Sequence, residues 1–271
     1  MNSDQQLRTA PTDRFFIMSD THVSLAKPYR AKRLERVVSK ALELQPDSTV
    51  VIVGDFTDYG MPWEYRLVAR AARRAGLQRD RLVLALGNHE CRLPRFTWSL
   101  SRFARHVGSE APYRDLTVGR THLILLAGDE KPQRWDGCRV SDNQLEWLDR
   151  MLSDDEEKGS APLVFNHEPL FDTVEGSLAH HGSGLSIEND ADLRAVLDRH
   201  PGAYVFTGHS HFPLGTRRIG AGPTFANTGA IAYDDGYGQE FAQGWFVSVD
   251  EYGVSLRGYD FIEKAWIDGC R

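Results

Sequence analysis

Five short apolar runs in this sequence each stop at a cluster of Asp, Asn or His, which restricts the chain to folds where several strand ends meet in one place. Phe15-Phe16-Ile17-Met18 leads into Ser19-Asp20-Thr21-His22, and Val50-Val51-Ile52-Val53 into Gly54-Asp55-Phe56-Thr57-Asp58. Leu82-Val83-Leu84-Ala85-Leu86 leads into Gly87-Asn88-His89-Glu90, and Leu163-Val164-Phe165 into Asn166-His167-Glu168. The fifth run, Tyr204-Val205-Phe206, leads into Thr207-Gly208-His209-Ser210-His211. Runs of this length with polar punctuation read as buried strands.

Between the runs lie stretches with helical periodicity. Residues 33–44 place Leu34, Val37, Val38, Ala41 and Leu42 on one face; residues 62–75 begin with Pro62, which suits a first turn; residues 143–152 and 190–199 complete the set. Residues 123–126 form one more strand. Strands alternating with helices imply an α/β fold whose sheet is covered by helices on both faces. After Gly208 the pattern turns to strands alone, over residues 224–227, 244–250 and 254–260, with a hairpin turn near 251–253. Residues 1–13 read as a flexible leader and 14–271 as one domain, since no repeat or linker interrupts them.

In open α/β sheets, ligands bind beyond the carboxyl ends of the strands, so the five clusters are expected to share one edge. Carboxylate oxygens mixed with imidazole nitrogens suit Mn, Fe or Zn, whereas an all-oxygen set would suit Mg²⁺ or Ca²⁺. If the backbone is extended, Asp20 and His22 point the same way, as do His209 and His211. Gly54, Gly87 and Gly208 permit close backbone approach. Seven candidate ligands exceed the needs of one ion and match two ions that share a carboxylate. Any one cluster alone reads as a turn, a helix cap or a structural histidine; five in this order do not.

The ordered set resembles the calcineurin-like metallophosphoesterase superfamily, whose pattern of Asp-x-His, Gly-Asp, Gly-Asn-His-Asp/Glu, a lone His and Gly-His-x-His is met from Asp20 to His211. Residues 54–60 and 141–148 are similar to the branch that contains bacterial cyclic-nucleotide phosphodiesterases, although Glu90 stands where that branch usually has Asp. The resemblance implies a four-layer α/β/β/α sandwich of two mixed β-sheets flanked by helices, with the tail from Thr224 in the second sheet. It implies that Asp20, His22 and His211 hold one ion, that Asn88, His167 and His209 hold a second, and that Asp55 bridges them. His89 would be a non-ligand that contacts the scissile phosphate or protonates the leaving oxygen.

The activity expected is therefore hydrolysis of a phosphate ester by a hydroxide bridging two divalent or mixed-valence ions. A phosphodiester, cyclic or of the glycerophosphodiester type, is favoured over a phosphomonoester on the branch resemblance. A non-catalytic scaffold of this fold would be expected to have lost ligands, and none is missing. Asp58 and Glu90 are candidates to orient ligand histidines, and Arg92 to contact substrate phosphate. The aperiodic segment 172–188 is expected to help line the cleft.

Composition bears on partners. The net charge of −6 argues against nucleic acid as substrate, and Arg70, Arg73, Arg74, Arg79 and Arg81 read as a solvated helix face and its exit loop. No apolar stretch reaches the roughly 18–20 residues of a membrane span. The polar start and three cysteines without metal-type spacing (Cys91, Cys138, Cys270) fit a reducing cytoplasm. A small phosphate ester is the expected partner, and a homo-oligomer is compatible with the sequence. His106, His122 and His200 read as structural or exposed.

Overall fold

Strands β1 (Asp13–Met18), β2 (Thr49–Val53) and β3 (Leu82–Ala85) are parallel neighbours. Parallel neighbours need crossovers, and helices α1 (Pro28–Leu44) and α2 (Pro62–Arg74) supply two of them. The computed structural model describes residues 12–178, 186–232 and 241–268. Helix α3 (Phe96–Val107) leads to β4 (Arg114–Val118) and β5 (Thr121–Leu125). Helix α4 (Asp142–Glu157), β6 (Leu163–Phe165), α5 (Asp190–Leu197) and β7 (Tyr204–Thr207) follow. The remainder is strands: β8 (Gly215–Arg218), β9 (Thr224–Asn227), β10 (Gln243–Asp250), β11 (Gly253–Asp260) and β12 (Ala265–Ile267).

These strands form two six-stranded sheets, ordered β12-β11-β10-β1-β2-β3 and β4-β5-β6-β7-β9-β8. The single sheet implied by strand–helix alternation is thus corrected to a pair, as the family resemblance implied. The reason lies in the period-two alternation of side chains. Phe15, Ile17, Val51 and Val53 point into a core shared with Leu125, Leu163, Phe165 and Phe206 of the other sheet. Their neighbours Phe16, Met18, Val50 and Ile52 point the opposite way, onto Leu34, Val38, Tyr65 and Val68 of α1 and α2. The outer face of the second sheet packs Val164 and Val205 on Leu148, Leu152, Leu193 and Leu197 of α4 and α5. Each sheet is apolar on both faces, but only one face of each meets helices.

A second correction concerns the tail. β9 pairs with β7 in the second sheet, whereas β10, β11 and β12 extend the first. β10 runs antiparallel to β1 with Phe246 opposite Phe16, which fills the edge that β2 leaves free. The first strand begins one residue before the expected domain start. Asp13 already lies in β1, and its carboxylate accepts hydrogen bonds from Arg120 N–H and Thr121 Oγ1; residues 1–11 and Cys270 lie outside the described residues. Arg81 leaves the expected solvated set, because its guanidinium donates to the carbonyl of Ser48 at 2.6 Å.

Candidate metal centre

All five clusters lie at the carboxyl ends of β1, β2, β3, β6 and β7. How the backbone turns there differs from the extended expectation. Asp20, His22, Asp55, His209 and His211 all have left-handed backbone angles, with φ of 53°, 41°, 48°, 63° and 56°. Such a conformation costs a non-glycine residue roughly 1–2 kcal/mol, so neighbouring structure must impose it. Hydrogen bonds continue the β1–β2 pairing past the turns: His22 N–H to Asp55 O at 2.9 Å, Val23 N–H to Phe56 O at 3.0 Å and Asp58 N–H to Val23 O at 3.3 Å. Ala232 N–H donates to Asp20 O at 2.8 Å, and Gly208 N–H to His167 O at 2.9 Å. Gly54 is required here: at φ 75°, a Cβ would sit 2.5 Å from the His167 ring.

The side chains converge as three overlapping groups whose ligand atoms lie within 4.8 Å of one another: Asp20 with His22 and His211, Asp55 with His167 and His209, and His22 with Asp55 and His89. Asp20 Oδ1 is 3.1 Å from His211 Nε2 and 3.6 Å from His22 Nε2. Asp55 Oδ2 is 3.2 Å from His167 Nε2, 3.8 Å from His89 Nε2 and 3.9 Å from His22 Nε2. Asn88 Oδ1 joins the second group, 3.1 Å from His209 Nδ1. Every residue expected to be a ligand is in this pocket.

Whether a cation suits the pocket can be tested on its own atoms. His167 Nδ1 donates to Val53 O at 2.7 Å, which turns its Nε2 toward Asp55 Oδ2 and, at 3.8 Å, Asp20 Oδ1. A buried lone pair facing two carboxylates needs a proton or a metal ion between them. His22 Nε2 and His211 Nε2 lie 3.3 Å apart beside the same Asp20 carboxylate. The donor set fits a pair of ions.

The electrostatics agree. Burial alone would raise the pKa of Asp20 and Asp55, but the surrounding histidines outweigh it and hold both carboxyls well below the usual range. His22 goes the other way: burial pushes its pKa down to about 4, so its nitrogen is neutral and free for a cation. Burial also opposes charge on His167, yet Asp55 and Asp20 overcome it and raise the pKa. His89 is likewise raised, because Asp55 and hydrogen bonding to Asp58 outweigh burial.

Beside the candidate ligands, Asp58 Oδ1 lies 3.4 Å from His89 Nδ1 and 3.8 Å from His22 Nδ1. Burial works against its ionisation, but those histidines bring its pKa down to about 2. Glu90 differs, because its hydrogen bonds are to backbone and hydroxyl donors instead of a histidine. Oε2 accepts from Asp55 N–H and Gly87 N–H, both at 3.0 Å, while Oε1 accepts from Thr57 N–H at 2.9 Å and Thr57 Oγ1 at 2.8 Å. It thereby ties the β2 turn to the β3 turn; burial first, and Asp55 second, push its pKa up to about 8. Sequence reasoning missed Arg30, which is buried, donates to His22 O at 3.2 Å and lies 3.9 Å from Asp58 Oδ2. Its place in an amphipathic helix gave no signal.

Beside Asn88 opens a cavity of about 270 Å³, lined among others by Arg92, Phe96, Lys131, Trp135 and Glu168. Arg92 lies 4.7 Å from the Trp135 ring centre and 5.1 Å from that of Tyr59. Trp135 also meets the His89 ring edge-on at 5.6 Å. Trp135 comes from the segment 128–140, which no motif marked. The flanks of the 172–188 segment reach this wall: Cys138 N–H donates to Ser186 O and Glu188 N–H to Cys138 O, each at 2.8 Å. Residues 179–185 lie outside the described residues. Away from the pocket, His122 is bonded to Asp155 and Asp115, His200 to Asp149, and His106 packs on Tyr65, so all three are structural.

The profile of the calcineurin-like phosphoesterase family matches residues 13–213. No curated protein sequence matches the chain. Among solved structures, the chain is similar to a dimetal phosphatase from Danio rerio, with 15% identity over 92% of this chain and 95% of that one and a TM-score of 0.62. It is similar to a purple acid phosphatase from yellow lupin (Lupinus luteus) seeds at 13% identity, covering 96% of this chain and 53% of the other, with a TM-score of 0.69. It is also similar to the NAD nucleotidase of Haemophilus influenzae, at 11% identity, 96% and 54% coverage and a TM-score of 0.52. The chain spans about half the length of the lupin and Haemophilus proteins, and at these identities the likeness speaks for the fold.

Proposed function

Because the chain belongs to the calcineurin-like phosphoesterase family, whose members are metal-dependent phosphoric ester hydrolases, we propose that it hydrolyses a small phosphodiester at a two-metal centre. The observation that carries this reading is the position of Asp55, whose Oδ2 lies 3.2 Å from His167 Nε2 of one donor set and 3.9 Å from His22 Nε2 of the other. Asp20, His22 and His211 would hold one ion, Asn88, His167 and His209 the other, and Asp55 would be shared by both. The mixed oxygen and nitrogen donors favour Mn, Fe or Zn. Bound there, such a pair would supply hydroxide at neutral pH and neutralise phosphate charge.

The chain's own groups do the rest. Asp58 O lies 3.0 Å from His89 Nδ1, so a proton on that nitrogen is engaged and Nε2 turns to the site. Hydrogen bonding to Asp58 favours a protonated His89, which would hand its Nε2 proton to the leaving oxygen. Asp58 keeps that ring in place, and Arg30 keeps Asp58. A diester is favoured by the likeness of residues 54–60 to the cyclic-nucleotide branch and by the cavity beside Asn88, which leaves room for a second ester group. Cys91 and Cys138, which form no disulfide, are compatible with a cytoplasmic location. Among the described residues, no helix is long and apolar enough to cross a membrane.

Metal-depleted protein reconstituted with Mn²⁺, Fe²⁺, Zn²⁺ or Mg²⁺ tests this on bis-p-nitrophenyl phosphate, p-nitrophenyl phosphate and cyclic AMP. Recovery of diester cleavage is expected, with the monoester slower. A faster monoester makes the chain a phosphomonoesterase, and no recovery with any metal removes the reading. His89→Asn is expected to slow esters with poor leaving groups by about 10²-fold and p-nitrophenyl esters less; equal slowing of both would rule out the acid role.

A further inference from the structure

The acids of the 128–140 segment are all engaged. Asp129 accepts from Ser141 N–H at 2.8 Å and Ser141 Oγ at 2.6 Å, Glu130 pairs with Arg139 at 2.8 Å, and Asp136 pairs with Arg134 at 2.6 Å. Glu188, which borders this segment, accepts the Gln133 N–H. Lys131, on the same wall, has no hydrogen bond or ion pair among the described residues, and neither does the guanidinium of Arg92. Two uncompensated cations thus line one cavity of a chain whose net charge is −6. Glu168 is the one acid in that lining, and it is buried.

Arg92 is more than an exposed arginine. Its guanidinium lies against the rings of both Tyr59 and Trp135, at 5.1 and 4.7 Å. Aromatic contacts of this kind leave the N–H edge open while restricting where it points. An arginine so placed is prepared for a bidentate oxyanion, since less rotamer freedom is lost on binding. The same cavity reaches Asn88 and Gly87 at its inner side. A substrate whose scissile phosphate sits among the ligand groups therefore extends its leaving portion past Arg92 toward Lys131.

From this we infer that Arg92 and Lys131 form a second anion subsite, so that the preferred substrates are phosphate esters whose leaving group carries another negative charge. Arg92 receives that group, not the scissile phosphate. The inference rests on the two-metal reading above and narrows its substrate class.

Calorimetric titration of metal-loaded protein with ethylphosphonate and with ethane-1,2-diphosphonate reads the subsite without turnover. The two probes share one phosphonate and differ in the second. Wild type is expected to bind the diphosphonate about tenfold or more tighter, the size of one charge-assisted contact. In R92Q, in K131Q and most of all in the double variant, that ratio should fall toward its value for a ligand held by the metals alone. Arg92→Lys should restore part of it, because charge is kept and the planar fork is lost. A ratio equal in wild type and double variant overturns the subsite. Cleavage of bis-p-nitrophenyl phosphate by the same preparation keeps the two readings apart. Turnover with an unchanged ratio sinks the subsite alone, and no turnover with any metal sinks the parent reading and the subsite with it.

Discussion

In the ligand pocket, Asp20, His22, Asp55, Asn88, His167 and His209 are all buried, and most are fixed by bonds to backbone or to one another. In the adjoining cavity, Arg92 and Lys131 are exposed, Trp135 keeps 52% of its surface in solvent, and aromatic faces take the place of carboxylates as neighbours. The first region spends backbone strain to place donor atoms; the second places charge on exposed side chains, with Arg92 steadied by the Tyr59 and Trp135 rings. Chemistry that tolerates little displacement has been put where the sheets enforce it, and recognition where a loop can vary.

That contrast can be broken from either side. Asp55→Ala attacks the enforced region at its shared carboxylate. It should abolish binding of both ions and lower turnover by roughly 10⁴-fold, as measured by metal analysis and ester kinetics; a variant that keeps two metals and full rate would show the pocket does not depend on it. Glu90→Ala touches no proposed ligand side chain but leaves three backbone N–H groups and the Thr57 hydroxyl without their acceptor. A loss of about 3 kcal/mol in denaturant unfolding is expected, together with weaker metal binding. Stability within error of wild type would mean the two turns hold themselves.

Acidity gives a subtler handle. Because Asp55 and Asp20 raise the pKa of His167 in the metal-free fold, a proton occupies Nε2 below that pKa and must leave when a metal arrives. Metal affinity should therefore fall as pH drops through the raised value, by about tenfold per pH unit for one displaced proton. Calorimetry in buffers of different ionisation enthalpy would record the released proton, and zero release would remove His167 from the ligand set. The smallest effect belongs to the cavity. Trp135→Leu takes one face from Arg92 and should raise KM a few-fold with little change in metal content, matching about 0.5–1 kcal/mol for an exposed cation–π contact. An equal loss of metal would erase the division between the two regions.

The same division decides what could be read from sequence. The proposed ligands were legible because each follows closely on an apolar run, so that position along the chain is position at the sheet edge. Their backbone angles were not legible, since an Asp or His at φ near 50° is imposed by hydrogen bonds from distant segments such as Ala232 to Asp20. Two sheets were hidden from strand counting because every core strand is apolar on both faces, whichever partner it has. β8 and β12 were missed for a related reason: they sit at sheet edges, with Arg217 and Arg218 in one exposed and Ala265 and Trp266 in the other, and edge strands carry little apolar pattern. Arg30, Tyr59 and Trp135 matter only through what folding brings beside them.

One pairing sets an order of events. β1, which positions Asp20 and His22, is bordered on one side by β2 and on the other by β10, more than two hundred residues downstream. A nascent chain emerging from the ribosome therefore carries its first two proposed ligands on a strand with one unpaired edge until residue 250 has been made. Closure of so large a loop is slow, and for that interval the exposed edge is open to pairing with another chain. Metal loading and escape from aggregation should accordingly wait on β10 (Gln243–Asp250), although no proposed ligand lies beyond His211.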